Sequence, residues 1–198
     1  DGPVQKVVAR ADGRYVAFRA RTNDGGTSWI GPIGQVLLRD RTLGTTELIT
    51  ITIFGFPSNG SCEPAAISAD GQRVLFTSRA KYLVSASEGL VDAAYLRDRT
   101  NGVTTLISTL PNGLQMNDAY AVDMTPDATR ALLISNDWND SLTGAFPVLV
   151  KDLVTGAVLN MNQSMGTPSL PRSGSISDDG RYVAFTAIGL GLPGPPPP

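Results

Sequence analysis

The sequence predicts an all-β protein built from repeated units of four short antiparallel strands, the architecture of β-propeller blades. The main observation is an eight-residue segment at 69–76, Ala-Asp-Gly-Gln-Arg-Val-Leu-Phe, which recurs with variations at 11–18, 126–133 and 178–185. The aspartates of the four copies are 58, 57 and 52 residues apart, and such a period is typical of repeat proteins. In addition, no segment shows the 3.6-residue apolar periodicity of an amphipathic helix.

The composition allows a sizeable core and disfavours several kinds of partner. The 198 residues are 41% hydrophobic and 17% charged, with a formal net charge of −2 and a pI near 5.0. Such a chain is not compositionally disordered, and it lacks the basic stripe that nucleic-acid binding needs. No apolar run approaches the roughly 18 residues of a transmembrane helix. We therefore expect no nucleic-acid partner and no membrane span.

The absence of histidine narrows the available chemistry. Ser-His-Asp and Cys-His catalysis and His-ligated metal sites are excluded within a chain that has no histidine. Carboxylate chemistry, Ser-Lys chemistry and oxygen-ligated calcium remain. The single cysteine, Cys62, cannot form an intrachain disulfide, and we interpret it as a small buried or half-buried loop residue. Because the chain opens at Asp1 without an initiating Met, we interpret it as a mature product or a fragment.

The first unit sets the strand order that the others copy. A β-branched run leads to Asp12-Gly13, and an Asp-Gly pair between apolar runs predicts a hairpin because glycine readily adopts positive φ. A long loop, 21–33, separates the second strand from the third, and the turn 41–44 joins the third to the fourth. The predicted strands of this unit are 4–10, 14–20, 35–40 and 45–51.

Two more complete units and part of a fourth follow. The third departs from the pattern at Ala128 and Arg130, and the fourth stops after two strands. The predicted strands are 65–68, 73–78, 93–98 and 103–108, then 119–124, 130–135, 148–152 and 157–161, then 173–177 and 181–187. We expect blades at about 4–51, 64–108 and 118–162, a half blade at 173–188 and a Gly/Pro-rich tail or linker at 189–198.

Aspartate and glycine mark both short turns of each unit. The second short turn has Asp followed four places later by Gly, a spacing that suits a turn stabilised by the carboxylate and closed by a positive-φ glycine. We interpret these residues as structural turn residues rather than a catalytic set. They are Asp12, Gly13, Asp70, Gly71, Asp179 and Gly180 in the first turns, and Asp40, Gly44, Asp98, Gly102, Asp152 and Gly156 in the second turns.

The repeated residues resemble the TolB-type, WD40-like β-propeller repeat of bacterial extracytoplasmic proteins. The likeness rests on Ile67-Ser-Ala-Asp-Gly71 with 74–78, on 95–99 with Gly102, and on a second copy of the first part at 176–185. It covers nearly the whole chain up to about residue 188. The resemblance implies a non-catalytic binding module in an extracellular or periplasmic location.

The strand order predicts that the short Asp/Gly turns share one face of the molecule and that the long loops and blade-to-blade linkers share the other. Loops on a rigid scaffold often carry recognition, and tryptophan is enriched at binding hot spots. Candidates for ligand or partner binding are therefore Trp29, Phe54, Phe56, Tyr82 and Trp138. The alternative is that these rings fill gaps beneath the loops.

Other polar residues give weaker indications. Asp137 and Asp140 are weak calcium candidates because nothing guarantees six or more convergent oxygens. The segment Thr22–Trp29 fits an Asp-box spacing once, and we interpret it as turn chemistry. Acids expected on the long-loop side are Glu63, Glu88 and Asp118, and Asp123 could face the propeller axis. No cofactor is expected.

These observations favour a non-catalytic extracytoplasmic module that serves as a structural or protein-binding scaffold within a larger assembly. One alternative is a carbohydrate-binding propeller that stacks sugars on Trp29 and Trp138; another is the accessory propeller of a hydrolase outside this chain. Three units and two strands are too few to close a typical propeller. We therefore expect a protein partner or self-association at the open half blade, covering the edge at 181–187.

Overall fold

A computed structural model of the chain describes residues 6–22, 33–85, 89, 91–135, 147–161 and 170–188. These residues form fourteen strands and no helix. The strands are β1 Val7–Ala9, β2 Tyr15–Thr22, β3 Ile33–Asp40, β4 Thr45–Leu48, β5 Cys62–Ile67, β6 Arg73–Ser78, β7 Ala93–Asp98, β8 Val103–Leu106, β9 Ala119–Met124, β10 Arg130–Ser135, β11 Val148–Asp152, β12 Val158–Asn160, β13 Leu170–Ile176 and β14 Val183–Ile188.

The strands form three four-stranded antiparallel sheets and one two-stranded sheet. Strands pair in chain order, β1 to β4, β5 to β8 and β9 to β12, and β13 pairs with β14. This arrangement confirms the all-β prediction of propeller blades with a half blade at the end. We call the three complete sheets blades 1, 2 and 3.

The core lies between consecutive blades. Between blades 1 and 2, Val36 and Leu38 pack against Val74, Phe76 and Tyr95. Comparable apolar clusters join blade 2 to blade 3 and blade 3 to the half blade. The β-branched and aliphatic residues that alternate along each strand therefore bury both faces of blades 2 and 3.

The first strand of each unit is the innermost. Strand β5 lies against β1 and β9, and β9 lies against β13, as strands around a propeller axis do. Strands β5, β9 and β13 each carry a register shift, and Pro64 and Pro171 lie at two of these bulges. A proline is compatible with an innermost strand because one strand edge has no neighbour to receive an N–H. Strand β5 therefore includes Pro64 and begins at Cys62. The prediction that Cys62 lies in a loop is wrong.

The first turn of each unit is organised by its aspartate. Asp70 Oδ1 accepts hydrogen bonds from Ser68 Oγ at 2.5 Å and from Gln72 N at 2.9 Å, while Gly71 has φ +71°. Ser68 Oγ also accepts a bond from Arg73 N at 2.8 Å. The bond from Ser68 is the main reason that the pKa of Asp70 lies below its usual value.

Blade 3 keeps this turn without a glycine. Ala128 has φ +55° at the position that glycine takes in the other units, a conformation that costs an L-residue energy. Asp127 Oδ1 still accepts bonds from Thr125 Oγ1 at 2.6 Å and Thr129 N at 3.0 Å. The departure of the third unit from the repeat is therefore one of side chain and not of turn geometry.

The second short turn of each blade lies beside the first. Asp40 is buried and accepts bonds from Arg14 Nη2 at 2.9 Å, Thr42 N at 2.9 Å and Leu43 N at 3.0 Å. The guanidinium of Arg14 and these backbone donors lower the pKa of Asp40 to about 2. Backbone bonds link the two turns in every blade: Arg41 N to Arg14 O, Arg99 N to Gln72 O and Leu153 N to Thr129 O.

Candidate functional site

An exposed turn in the linker between blades 1 and 2 carries two phenylalanines, Phe54 and Phe56. A bridge between Ile51 and Pro57 closes the turn. Within it, Thr52 N donates to Phe56 O at 2.8 Å and Gly55 N donates to Thr52 O at 2.9 Å. The positive φ of Gly55, +82°, allows the chain to reverse at this point.

This turn and the loop after β6 form an exposed apolar cluster, which we call the aromatic patch: Ile53, Phe54, Phe56 and Tyr82. Their exposed fractions are 53%, 63%, 68% and 47%. The rings of Phe54 and Tyr82 meet edge to face with centroids 5.5 Å apart. Two of the side chains in the patch thus contact each other while remaining open to solvent.

The backbone beneath the aromatic patch is firmly held. Ile53 N donates to Tyr82 O at 2.8 Å, and Tyr82 has φ +64°. On either side of Tyr82, Ala80 and Leu83 are buried between blades 1 and 2. Because the buried neighbours fill the space under the loop, the exposed rings are not needed there as filling.

The linker between blades 2 and 3 has the same shape with different side chains. Thr109 bridges to Gln115, Leu110 N donates to Leu114 O at 2.8 Å, and Gly113 has φ +83°. Asn112 stands where the first linker has Phe54, and only Leu114 at its tip is a large exposed apolar residue. The aromatic character therefore belongs to the first linker and not to the repeat.

A second feature is a cavity of about 780 Å³ near the innermost strands. Charged residues around it form two groups that bridge strands. Arg19 pairs with Glu63 and donates to Ser61 Oγ at 2.9 Å. Arg79 donates to Asp92 Oδ2 at 2.7 Å.

The second charged group also includes a carboxylate and a phenol. Asp118 Oδ1 lies 4.0 Å from Arg79 Nη2 and accepts a bond from Asp92 N at 3.1 Å. Burial is the main cause that raises the pKa of Tyr120, and its hydrogen bond to Asp92 adds to the effect. The neighbouring carboxylates raise the pKa of Arg79. Paired charges of this kind can bind polar groups of a ligand and also stabilise the joint between blades 2 and 3.

The structure brings together some of the residues proposed from sequence. Phe54, Phe56 and Tyr82 lie in the aromatic patch, and Glu63 and Asp118 belong to the charged groups around the cavity. Asp123 instead accepts bonds from Ser175 Oγ at 2.8 Å and Ile176 N at 3.0 Å in β13, so it joins two units. Trp29, Trp138, Asp137, Asp140 and Glu88 lie outside the described residues.

Three residues that line the cavity, Arg79, Asp92 and Tyr120, were not identified from sequence, and neither was Arg19, which pairs with the lining residue Glu63. Arg79, Asp92 and Tyr120 share one signal in the sequence, their position at or beside a strand end on the long-loop side, whereas Arg19 lies inside β2. In the part of the chain that the structure describes, no three His, Cys, Asp or Glu side chains lie close enough to hold a metal ion. The same residues include no helix long and apolar enough to cross a membrane.

The fold is similar to that of solved propeller proteins at low sequence identity. A putative TolB from Agrobacterium tumefaciens matches with a TM-score of 0.55 and 19% identity, over 91% of this chain and 52% of that one. A structure from a study of two prolyl endopeptidases matches with a TM-score of 0.57 and 14% identity, over 93% and 26%. Porphyromonas gingivalis dipeptidyl peptidase 4 matches with a TM-score of 0.50 and 14% identity, over 81% and 26%.

These matches show the β-propeller fold. The chain spans about half the length of the TolB structure and about a quarter of each peptidase. No protein-family model matches the chain, and no curated protein matches its sequence. At such identities the likeness carries fold and not activity.

Proposed function

We propose that this chain is a non-catalytic, extracytoplasmic β-propeller module that serves as a protein-binding scaffold within a larger assembly. The aromatic patch is its binding surface. The observation that carries the proposal is the exposure of Ile53, Phe54, Phe56 and Tyr82 on one linker and the adjoining loop, where the rings of Phe54 and Tyr82 are in contact. The extracytoplasmic location is supported by the resemblance to TolB-type repeats.

A protein is the partner that this patch suits best. Single exposed apolar residues are common on protein surfaces, whereas contiguous apolar patches mark interaction sites. Aromatic residues are enriched in protein interfaces and at their hot spots. The backbone bonds of the linker turn order the patch before binding, which lowers the entropy lost when a partner is bound.

Site-specific photo-crosslinking tests the proposal. A photoreactive residue replaces Phe56 in one variant and Leu43 in a matched control, because Leu43 is also apolar, is 69% exposed and lies in a turn on the opposite face. We expect a discrete protein adduct from position 56 in an extracytoplasmic extract and none from position 43. The crosslinked protein is then purified and titrated directly with the unmodified chain.

The titration decides the outcome. Loss of two interface aromatics commonly costs an interface more than about 2 kcal/mol, so the double variant Phe54→Ser, Phe56→Ser should bind at least about tenfold more weakly. Leu43→Ser should bind as the natural chain does. Equal affinity of all three proteins would rule out the aromatic patch as the binding surface.

A second candidate is the accessory propeller of a hydrolase that lies outside this chain. It is favoured by the fold likeness to a prolyl endopeptidase and to a dipeptidyl peptidase. This candidate predicts that the crosslinked partner is a hydrolase, or that a hydrolase domain belongs to the same polypeptide. The carbohydrate-binding alternative depends on Trp29 and Trp138, and a glycan array with Trp29→Ala and Trp138→Ala variants tests it separately.

A further inference from the structure

The first short turn of each unit, which we call its corner, contacts the corner of the next unit. We call this contact between corners the lock. Between blades 1 and 2, and between blade 3 and the half blade, the residue three places after the corner aspartate packs onto the glycine of the next unit's corner. A Cβ atom built on Gly71 would overlap the Tyr15 ring, and one built on Gly180 would lie 2.5 Å from Arg130 Nη1. Arg130 Nη1 also donates to Asp179 O at 3.1 Å. The glycine is needed for this close approach as well as for its positive φ.

The lock between blades 1 and 2 uses tyrosine and two arginines. Tyr15 is 5% exposed. The guanidinium carbons of Arg14 and Arg99 lie 4.7 Å and 5.9 Å from the centroid of its ring. Arg99 Nη1 further donates to Gly71 O at 2.7 Å. Cation–π attraction and the glycine contact thus hold the ring from several sides.

The half blade carries the first part of this lock, and no described residue of another unit is recorded against it. Arg181 and Tyr182 follow Asp179 and Gly180 as Arg14 and Tyr15 follow Asp12 and Gly13. The Arg181 guanidinium carbon lies 5.4 Å from the Tyr182 ring centroid, yet Tyr182 is 65% exposed. Ala184 is exposed as well, whereas its counterpart Ala17 is fully buried.

Blade 1 carries the second part of the same lock. Gly13 has φ +68°, as Gly71 has +71°. Arg41 Nη1 donates to Gly13 O at 3.0 Å, which repeats the bond between Arg99 and Gly71. Among the described residues, a Cβ on Gly13 would meet Arg41 alone, at 3.3 Å.

The apolar surface beside Gly13 is also incompletely covered. Val16 and Phe18 are half-buried, whereas their counterparts in blade 2, Val74 and Phe76, are fully buried against blade 1. Val7 in the innermost strand of blade 1 is 56% exposed. The outer face of blade 1 therefore has the composition of an inter-blade surface, and the described residues cover it only in part.

We propose that this chain binds a second copy of itself head to tail, with Tyr182 of one copy packed onto Gly13 of the other and beneath its Arg41. A second copy suits this contact because all four residue types match those of the blade 1–blade 2 lock: Arg181, Tyr182, Gly13 and Arg41 correspond to Arg14, Tyr15, Gly71 and Arg99. The interface is heterologous, so it closes into a ring or extends into a longer assembly. This surface is separate from the aromatic patch and goes beyond the proposed function.

Disulfide trapping between two variants tests the contact. Between blades 2 and 3, Ala69 N donates to Pro126 O at 2.7 Å, so the residues just before two joined corner aspartates adjoin. Their counterparts at the free ends are Ala11 and Asp178, both exposed. We expect a mixture of Ala11→Cys and Asp178→Cys chains to give a mixed disulfide, while Asp178→Cys alone gives little. The natural Cys62 is fully buried and does not interfere.

A second measurement tests whether formation of the mixed disulfide depends on the Tyr182 contact. Tyr182→Ala in the Asp178→Cys background should lower the rate of mixed-disulfide formation at least tenfold. Val154→Ala should leave the rate unchanged, because Val154 is 77% exposed in the second short turn of blade 3 and belongs to neither half of the proposed contact. Sedimentation of the unmodified chain should show species heavier than the 20.8 kDa monomer, and Tyr182→Ala should shift them toward the monomer. A monomer at all concentrations, or an adduct indifferent to Tyr182→Ala, would overturn the proposal.

Discussion

Phe76 and Tyr95 stack between blades 1 and 2 with ring centroids 5.6 Å apart and an interplanar angle of 20°. Both side chains are essentially inaccessible to solvent. We expect Phe76→Ala to lower the free energy of unfolding by about 3–5 kcal/mol, because it leaves a cavity that the surrounding strands fill only in part. Urea denaturation measures the change. Phe56→Ala is the control, since Phe56 is 68% exposed, and it should change the free energy by less than about 0.5 kcal/mol.

The glycine contact between blades can be separated from the conformational demand of the turn. Gly71 and Gly156 both have positive φ, +71° and +78°. An added Cβ meets the Tyr15 ring at Gly71 and nothing within 4 Å at Gly156. Gly156→Ala should therefore cost about 1–2 kcal/mol for the backbone alone, and Gly71→Ala about 1–3 kcal/mol more for overpacking. Equal losses in denaturation would contradict the packing of Tyr15 on Gly71.

Acid should destabilise the chain through its turn aspartates. The folded pKa of Asp40 is about 2, whereas an unfolded aspartate has a pKa of about 3.9. A lowered folded pKa contributes stability that is fully present above about pH 4 and is lost as the pH falls toward 2. Asp70, Asp127 and Asp179 also have lowered pKa values because of hydroxyl donors, so their contributions are lost in the same direction.

Urea unfolding at several pH values between about 6 and 2 measures this loss of stability. The range includes the pKa of an unfolded aspartate, about 3.9. Asp40→Asn should unfold more easily than the natural chain at neutral pH, and its stability should fall less steeply below about pH 4 because one titrating group is missing. An unchanged slope in the variant would show that Asp40 does not contribute to the acid response.

The thiol of Cys62 should be protected in the folded protein. Its Sγ is buried, lies 3.1 Å from both Ser58 Oγ and Ser78 Oγ, and burial raises its pKa. Since the thiolate is the reactive form, a thiol reagent should modify it far more slowly in native buffer than in urea. Similar rates in the two conditions would mean that β5 opens readily.

The repeated turns made most of the fold predictable. The Asp-Gly pairs at 12, 70 and 179 determine where hairpins form, and the Asp-x-x-x-Gly spacing marks the other short turns. These turns can be predicted from sequence because each carboxylate accepts hydrogen bonds from groups only a few residues away. For the same reason Ala128 looked irregular in sequence although its turn is kept through Thr125 and Asp127.

The site was less predictable because its contacts are distant in sequence. Arg79, Asp92 and Tyr120 approach one another only when blades 2 and 3 pack together. Phe54 and Tyr82 were candidates because of their residue type. Their edge-to-face contact depends on the linker turn, and that turn has no Asp-Gly pair by which the sequence would predict it. The sequence does not distinguish Tyr182 from other strand residues; its role follows from the packing of its counterpart Tyr15 on Gly71.

The prolines of the innermost strands have a consequence for aggregation. Pro64 and Pro171 offer no N–H to an incoming strand, and the bulges beside them break the regular ladder on which amyloid-type templating depends. The innermost strands are therefore poor templates for pairing with a strand of another protein. Among the described residues β14, like β4, β8 and β12, pairs along one edge only, so these outer edges are where misassembly between molecules should begin.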